Sequence, residues 1–227
     1  MSALAPQAEL LRSLGRLVRG LSALFWGLPL TLLVCVQTAV NDWLRPLAAV
    51  PPVLVTGLLC YGLWQLGHFQ KQERVWTGAL DRAKLLSLVN LGLSPFIFFW
   101  NKLPHVPLYS VAVGVLMLSG LLFLFDLNQV SQRLAAMLPD ETLRLETKWF
   151  TSLNLGLVIF IVAAAALYFA LAQINRLPVI VTHLLDIIRP VRAMLLVALV
   201  LLPLALTMIL IWKIKEVILH SVFSPQT

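Results

Sequence analysis

Few side chains in this chain have the type and spacing to do chemistry. His183, Asp186 and Arg189 follow one another at three-residue steps, so on a helix they share one face. Such a trio could set an acid/base pair beside a guanidinium able to bind phosphate. No nucleophile, metal cluster or second carboxylate stands with it, and the same spacing suits the solvated face of an interfacial helix, which is the expected role. His68, His105 and His220 fall at the ends of apolar runs rather than at facing positions within them, which argues against haem held inside a bilayer. Cys35 and Cys60 lie within apolar runs and read as small fillers. There is no Walker loop, zinc-ligand spacing, nucleophile elbow or paired acidic motif for magnesium. The sequence therefore assigns no catalytic residue, no metal site and no cofactor, and the chain is expected not to be an enzyme.

More informative is a short internal similarity. Residues 84–97 read KLLSLVNLGLSPFI and residues 148–161 read KWFTSLNLGLVIFI, which agree at seven of fourteen positions with an offset of 64. A fainter copy, RGLSALFWGL, begins at Arg19 with Phe25 in place of the asparagine. The basic residues Arg19, Lys84 and Lys148 are expected to anchor one end of a helix at lipid headgroups. Asn90 and Asn154 can hydrogen-bond across to another helix, and Gly92 and Gly156 are expected to let a neighbouring helix come close. If the chain carries a solute, the same residues are the ones a pathway would use, with Gln37, Thr38, Gln65, Ser119 and Thr207 as the other polar positions inside apolar runs.

The elements that must position these residues are membrane helices. The chain has 227 residues, is 60% hydrophobic and only 12% charged, with a mean hydropathy of +0.91, about half the charge of an ordinary soluble domain. All 17 basic and 10 acidic residues lie outside six intervals, 20–41, 46–70, 85–101, 103–125, 149–175 and 193–212, each long enough for a span. Nothing alternates as the strands of a barrel would. The third interval is the shortest and contains Ser94-Pro95, where a kink is expected.

On alternate sides of these intervals stand twelve and five of the Lys and Arg residues, which predicts both termini in the cytoplasm, in a bacterial inner membrane. The net charge of +7 then reflects sidedness, and nucleic acid is not an expected partner. Trp64, Trp76, Trp149 and Trp212 fall at or near the inner boundaries.

The expected fold is all-α and polytopic: six transmembrane helices arranged as three tandem, like-oriented hairpins with cytoplasmic helix extensions. Its parts are an amphipathic cytoplasmic segment at 1–19, hairpins at 20–70, 71–138 and 139–220, and a cytoplasmic tail at 221–227. An external interfacial helix is expected at about 178–190. The turn signal at 139–141 predicts a fifth helix running from 140 to 172, about 50 Å long and so longer than the bilayer core. The stretches 71–84 and 126–148 mix both charge signs at helical spacing and read as solvated extensions on which a cytoplasmic partner could dock.

Dry spans, small residues and asparagines suited to packing, and the lack of a catalytic constellation predict a non-enzymatic membrane scaffold or accessory subunit of a larger complex. Its expected partners are lipids and other membrane-protein helices, including further copies of itself. The alternative is a small transporter, channel or lipid-handling protein with a pathway between hairpins.

Overall fold

The structure is a computed structural model and describes residues 4–41, 45–69, 73–137, 141–172 and 192–223. Those residues form seven α-helices and one short 3-10 turn, with no strand among them. In chain order they are α1 (Leu4–Val40), the 3-10 turn (Arg45–Leu47), α2 (Val50–Leu66), α3 (Arg74–Leu93), α4 (Pro95–Lys102), α5 (Pro107–Ala136), α6 (Glu141–Ala172) and α7 (Arg192–Phe223).

Prolines set several of the boundaries. α2, α4 and α5 all open on Pro in the first turn, where the missing N–H is no loss and the fixed φ suits a helix. Pro95 also leaves the Leu91 carbonyl without its usual partner, and the Ser94 hydroxyl donates to that carbonyl at 2.9 Å. The helix is therefore interrupted at Ser94 and continues as α4, so residues Arg74–Lys102 together run the length of a span. α6 has 32 residues, about 48 Å at the usual rise, close to the length expected from its start signal.

Four described segments are long and apolar enough to cross a membrane: Arg12–Val40, Arg74–Lys102, Pro107–Ala136 and Arg144–Ala164. The interval 46–70, expected as a full span, instead holds a 3-10 turn and a 17-residue apolar helix of about 25 Å. The N-terminal amphipathic segment is not separate from the first span, because α1 passes through Gly20 unbroken and buries Leu17 fully.

Long helices consecutive in the chain run antiparallel, whereas α5 and α7, which meet across the bundle, run parallel. Gly20 faces Gly62 and the Thr31 hydroxyl donates to the Val55 carbonyl at 3.2 Å, pairing α1 with α2. Arg82 donates to Gln129 at 3.3 Å near one end of α3 and α5, and the rings of Phe99 and Tyr109 stack 5.7 Å apart near the other. Glu146 pairs with Lys213, tying the start of α6 to the last turns of α7. Helices α1, α2, α3, α5 and α7 close a ring, with α6 seated against α5 and α7 and α4 lying between α1 and α5.

The apolar core lies at one end of this ring, the end where α1, α3 and α6 begin and α2, α5 and α7 finish. This is also the basic end, carrying Arg12, Arg16, Arg74, Arg82, Lys213 and Lys215. Lipid tails are as apolar as leucine, so burial against them yields no hydrophobic gain, whereas helix ends projecting beyond the hydrocarbon regain it. Leu17, Leu63, Trp76, Leu127, Leu134, Ile211 and Ile218 collect there.

That placement corrects two expectations. Trp76 is fully buried rather than interfacial, because its indole N–H donates to the Phe69 carbonyl at 3.2 Å while its ring fills the core. The stretches 71–84 and 126–148 are not simply solvated: Ala79, Leu80, Ala83, Leu127, Val130, Leu134 and Thr147 are buried. Most of the charges of those stretches occupy the opposite faces, among them Arg74, Asp81, Arg133, Glu146 and Lys148, which are exposed, while Asp126 is buried.

Candidate functional site

The densest polar arrangement joins α5, α6 and α7. Thr207 sits four residues after Pro203 on α7, and its hydroxyl donates to the Pro203 carbonyl at 2.8 Å. The same oxygen accepts from Asn128 Nδ2 of α5 at 3.0 Å and from Asn154 Nδ2 of α6 at 2.9 Å. One donor and two acceptors exhaust a threonine hydroxyl. Asn154 spends its second amide hydrogen on the Pro203 carbonyl at 3.2 Å, and Asn128 spends its own on the Leu124 carbonyl at 2.8 Å. Three helices are thus tied through one hydroxyl. Because the Pro203 carbonyl can only accept, the Asn154 amide nitrogen must face it.

Asn90, the other repeated asparagine, occupies the α3–α5 interface. Its Oδ1 accepts from the Ser119 hydroxyl at 2.5 Å, and both side chains are buried. On α1, where Phe25 stands at the position that aligns with the asparagine in sequence, contact is apolar: Phe25 meets Trp26 edge-on at 5.3 Å and Trp212 of α7 at 5.5 Å. Lesser polar contacts continue the pattern toward the opposite end. Cys60 Sγ lies 3.2 Å from the Ser87 hydroxyl, Thr56 and Ser94 hydroxyls are 3.4 Å apart, and Asn101 Nδ2 donates to the Thr38 carbonyl at 3.0 Å.

The glycines divide differently from expectation. A Cβ on Gly92 or Gly156 would meet nothing within 4 Å, so neither admits a neighbouring helix. Close approach belongs instead to Gly20 and Gly62: a Cβ on Gly20 would lie 2.8 Å from the Gly62 carbonyl, and one on Gly62 would lie 3.1 Å from the Gly20 carbonyl. Gly27 adds a third such contact, 2.8 Å from Leu59. The NLGL repeat faces its asparagine inward, and a residue two positions further along a helix points to the side, away from the contact.

Of the anchors, Arg19 and Lys148 are exposed and Lys84 is half-buried, with its Nζ 3.3 Å from Asp81. Asp126 is buried on α5 within the electrostatic reach of Arg82. His183, Asp186, Arg189 and the expected helix at 178–190 lie outside the described residues. Sequence reasoning passed over Asn128 on α5 and Thr147 and Thr151 on α6, because the charged residues of 126–148 obscured the buried faces of both helices. The signal was present as the spacing Thr147, Thr151, Asn154, Val158, a stripe at helical period that runs through the repeated asparagine.

The described residues hold no group of three or more His, Cys, Asp or Glu placed to bind a metal ion. What fold and site define together is a class: an all-helical membrane protein whose helices are fastened by buried amide and hydroxyl groups. Comparison with family models, with curated proteins and with solved structures found no match.

Proposed function

We propose that this chain is a non-enzymatic integral membrane scaffold or accessory subunit, which holds a fixed helical frame against other membrane helices and receives partners at its basic end. The observation that carries the reading is the way buried amides and hydroxyls pair across helix interfaces: Asn90 with Ser119, and Asn128 and Asn154 with Thr207. Polar groups used in this way rigidify the frame. Around it, Trp26, Trp64, Trp149, Leu153 and Phe160 are exposed, a surface suited to lipid or to a partner helix.

In the same reading the chain crosses the membrane six times as three like-oriented hairpins, with the basic end and both termini in the cytoplasm of a bacterial inner membrane. The twelve-to-five distribution of basic residues supports that orientation. A cytoplasmic partner then meets the outward faces of 71–84 and 126–148, where Arg74, Arg133, Arg144 and Glu146 are exposed.

Crosslinking in native membranes followed by purification in mild detergent tests this function. Reproducible recovery of one membrane protein, or of a defined homo-oligomer, is the expected result. A lone monomer with no crosslinked neighbour would sink it.

A second reading, a small transporter or channel, is favoured by one specific observation: three buried oxygens on α6 have no hydrogen-bond partner among the described residues. Replacing Asn90 and Asn154 together by Leu separates the two functions. A pathway lined by them would lose flux, whereas a packing role would show as lost stability alone.

A further inference from the structure

Thr147 Oγ1, Thr151 Oγ1 and Asn154 Oδ1 are buried, and none of them has a hydrogen-bond partner among the described residues. Thr147 and Asn154 are each 1% exposed and Thr151 is 7% exposed. Their positions follow the helical period, so all three lie on the single face that α6 turns toward α5 and α7. A buried polar group left unsatisfied destabilises by about 1–3 kcal/mol, and nearly all such groups in proteins are satisfied by protein or by water. Three in a row on one face therefore point to a shared ligand.

The chemistry of the three oxygens identifies it. Asn154 can only accept here, because its Oδ1 is an acceptor and both hydrogens on Nδ2 are committed to Thr207 and to the Pro203 carbonyl. The occupant must donate a hydrogen bond there, which excludes chloride and carboxylates. Each threonine hydroxyl can both donate and accept, so the occupant between them must do likewise. From Thr147 to Asn154 the helix rises about 10 Å, further than any single ion can reach with metal–oxygen bonds of about 2.5 Å. A chain of about three or four water molecules at hydrogen-bond spacing has both the length and the donor–acceptor character.

We propose that α5, α6 and α7 enclose a file of water that enters beside the Glu146–Lys213 pair at the basic end and stops at Asn154. The ion pair on one side and the Asn154–Thr207 contact on the other bracket the file, so its α7 wall comprises Leu210, Ile211 and Ile214, all fully buried. Thr207 has no capacity left for a further hydrogen bond and closes the inner end. The structure thus assigns a hydrated half-path to an otherwise dry bundle. This holds independently of which partner a scaffold would carry, and it supplies a transporter reading with its first segment.

Radiolytic footprinting of the full chain in nanodiscs tests the file, because hydroxyl radicals generated from bound water label only the side chains beside that water. The expected result is labelling of Leu210, Ile211 and Ile214, with none on Leu63, which is equally buried between α1 and α2. The double variant Thr147→Val, Thr151→Val should lose the α7 labels, and Thr151→Ser should keep them. Unlabelled Leu210, Ile211 and Ile214 in the native chain would overturn the proposal, as would labels that persist in the double-valine variant. Melting temperature is the second readout: removing hydroxyls that water satisfies does not raise it, whereas removing dry, unsatisfied hydroxyls does. A rise on valine substitution would therefore also overturn the file.

Discussion

Thr207→Val removes one oxygen and leaves the shape of the side chain intact, so its effect isolates the clamp between α5, α6 and α7. Three hydrogen bonds end with that oxygen: the two accepted from Asn128 and Asn154 and the one donated to the Pro203 carbonyl. Side-chain hydrogen bonds between membrane helices average about 0.6 kcal/mol, and two of the three cross between helices, which makes the loss about 1 kcal/mol. Asn128 keeps its bond to the Leu124 carbonyl and Asn154 keeps its bond to the Pro203 carbonyl, so each amide strands only one hydrogen. If those two hydrogens find no water, the loss rises to about 4 kcal/mol. Thr207→Ser keeps the hydroxyl and should restore most of the difference.

Reversible unfolding in mixed micelles, followed by tryptophan fluorescence, measures both variants. A double-mutant cycle with Asn154→Leu should show coupling of about 1 kcal/mol, since both changes remove the same bond. Valine at 207 matching the native stability within about 0.5 kcal/mol, or strict additivity in the cycle, would refute the clamp as a stabilising element.

Other substitutions probe the remaining interfaces. Gly20→Ala should destabilise by about 1–3 kcal/mol, because the new methyl meets the Gly62 backbone at 2.8 Å, while Gly92→Ala should stabilise by about 0.5–1 kcal/mol through helix propensity alone; paired melting curves decide the order. Trp76→Phe should lower stability by about 1 kcal/mol or more through the lost bond to the Phe69 carbonyl and the smaller ring, and should lower the buried-indole contribution to the fluorescence spectrum. Cysteines at His105 and Arg144, each exposed, report orientation when Cys35 and Cys60 are first replaced by Ala: an impermeant thiol reagent outside intact cells should label the first and not the second.

The fold class was legible because lipid imposes it. Long uncharged intervals leave a backbone no alternative to helix, and the proline signals at 51–52, 95 and 107 open helices in the structure. The repeated asparagines could be singled out because an amide inside an apolar run must find a partner. Which partner it finds depends on helices far away in sequence: Ser119 lies 29 residues from Asn90, and Thr207 lies 53 from Asn154. Small residues misled for the same reason. A glycine permits close approach on whichever face meets a neighbour, and periodicity within one helix does not say which face that is.

By itself, then, the sequence determined an all-helical membrane chain, four of the stretches able to cross, the helix break at Ser94-Pro95 and the great length of α6, since each follows from local composition and backbone chemistry. Only the tertiary structure decided that the core lies at the basic end, that Gly20 and Gly62 meet backbone to backbone, and that Thr147, Thr151 and Asn154 face inward beside Thr207. The physical reason is that lipid and protein interiors are equally apolar. Hydrophobicity tells a span from a loop, but the face a helix turns inward is chosen by steric fit and by hydrogen bonds that close only when the helices meet.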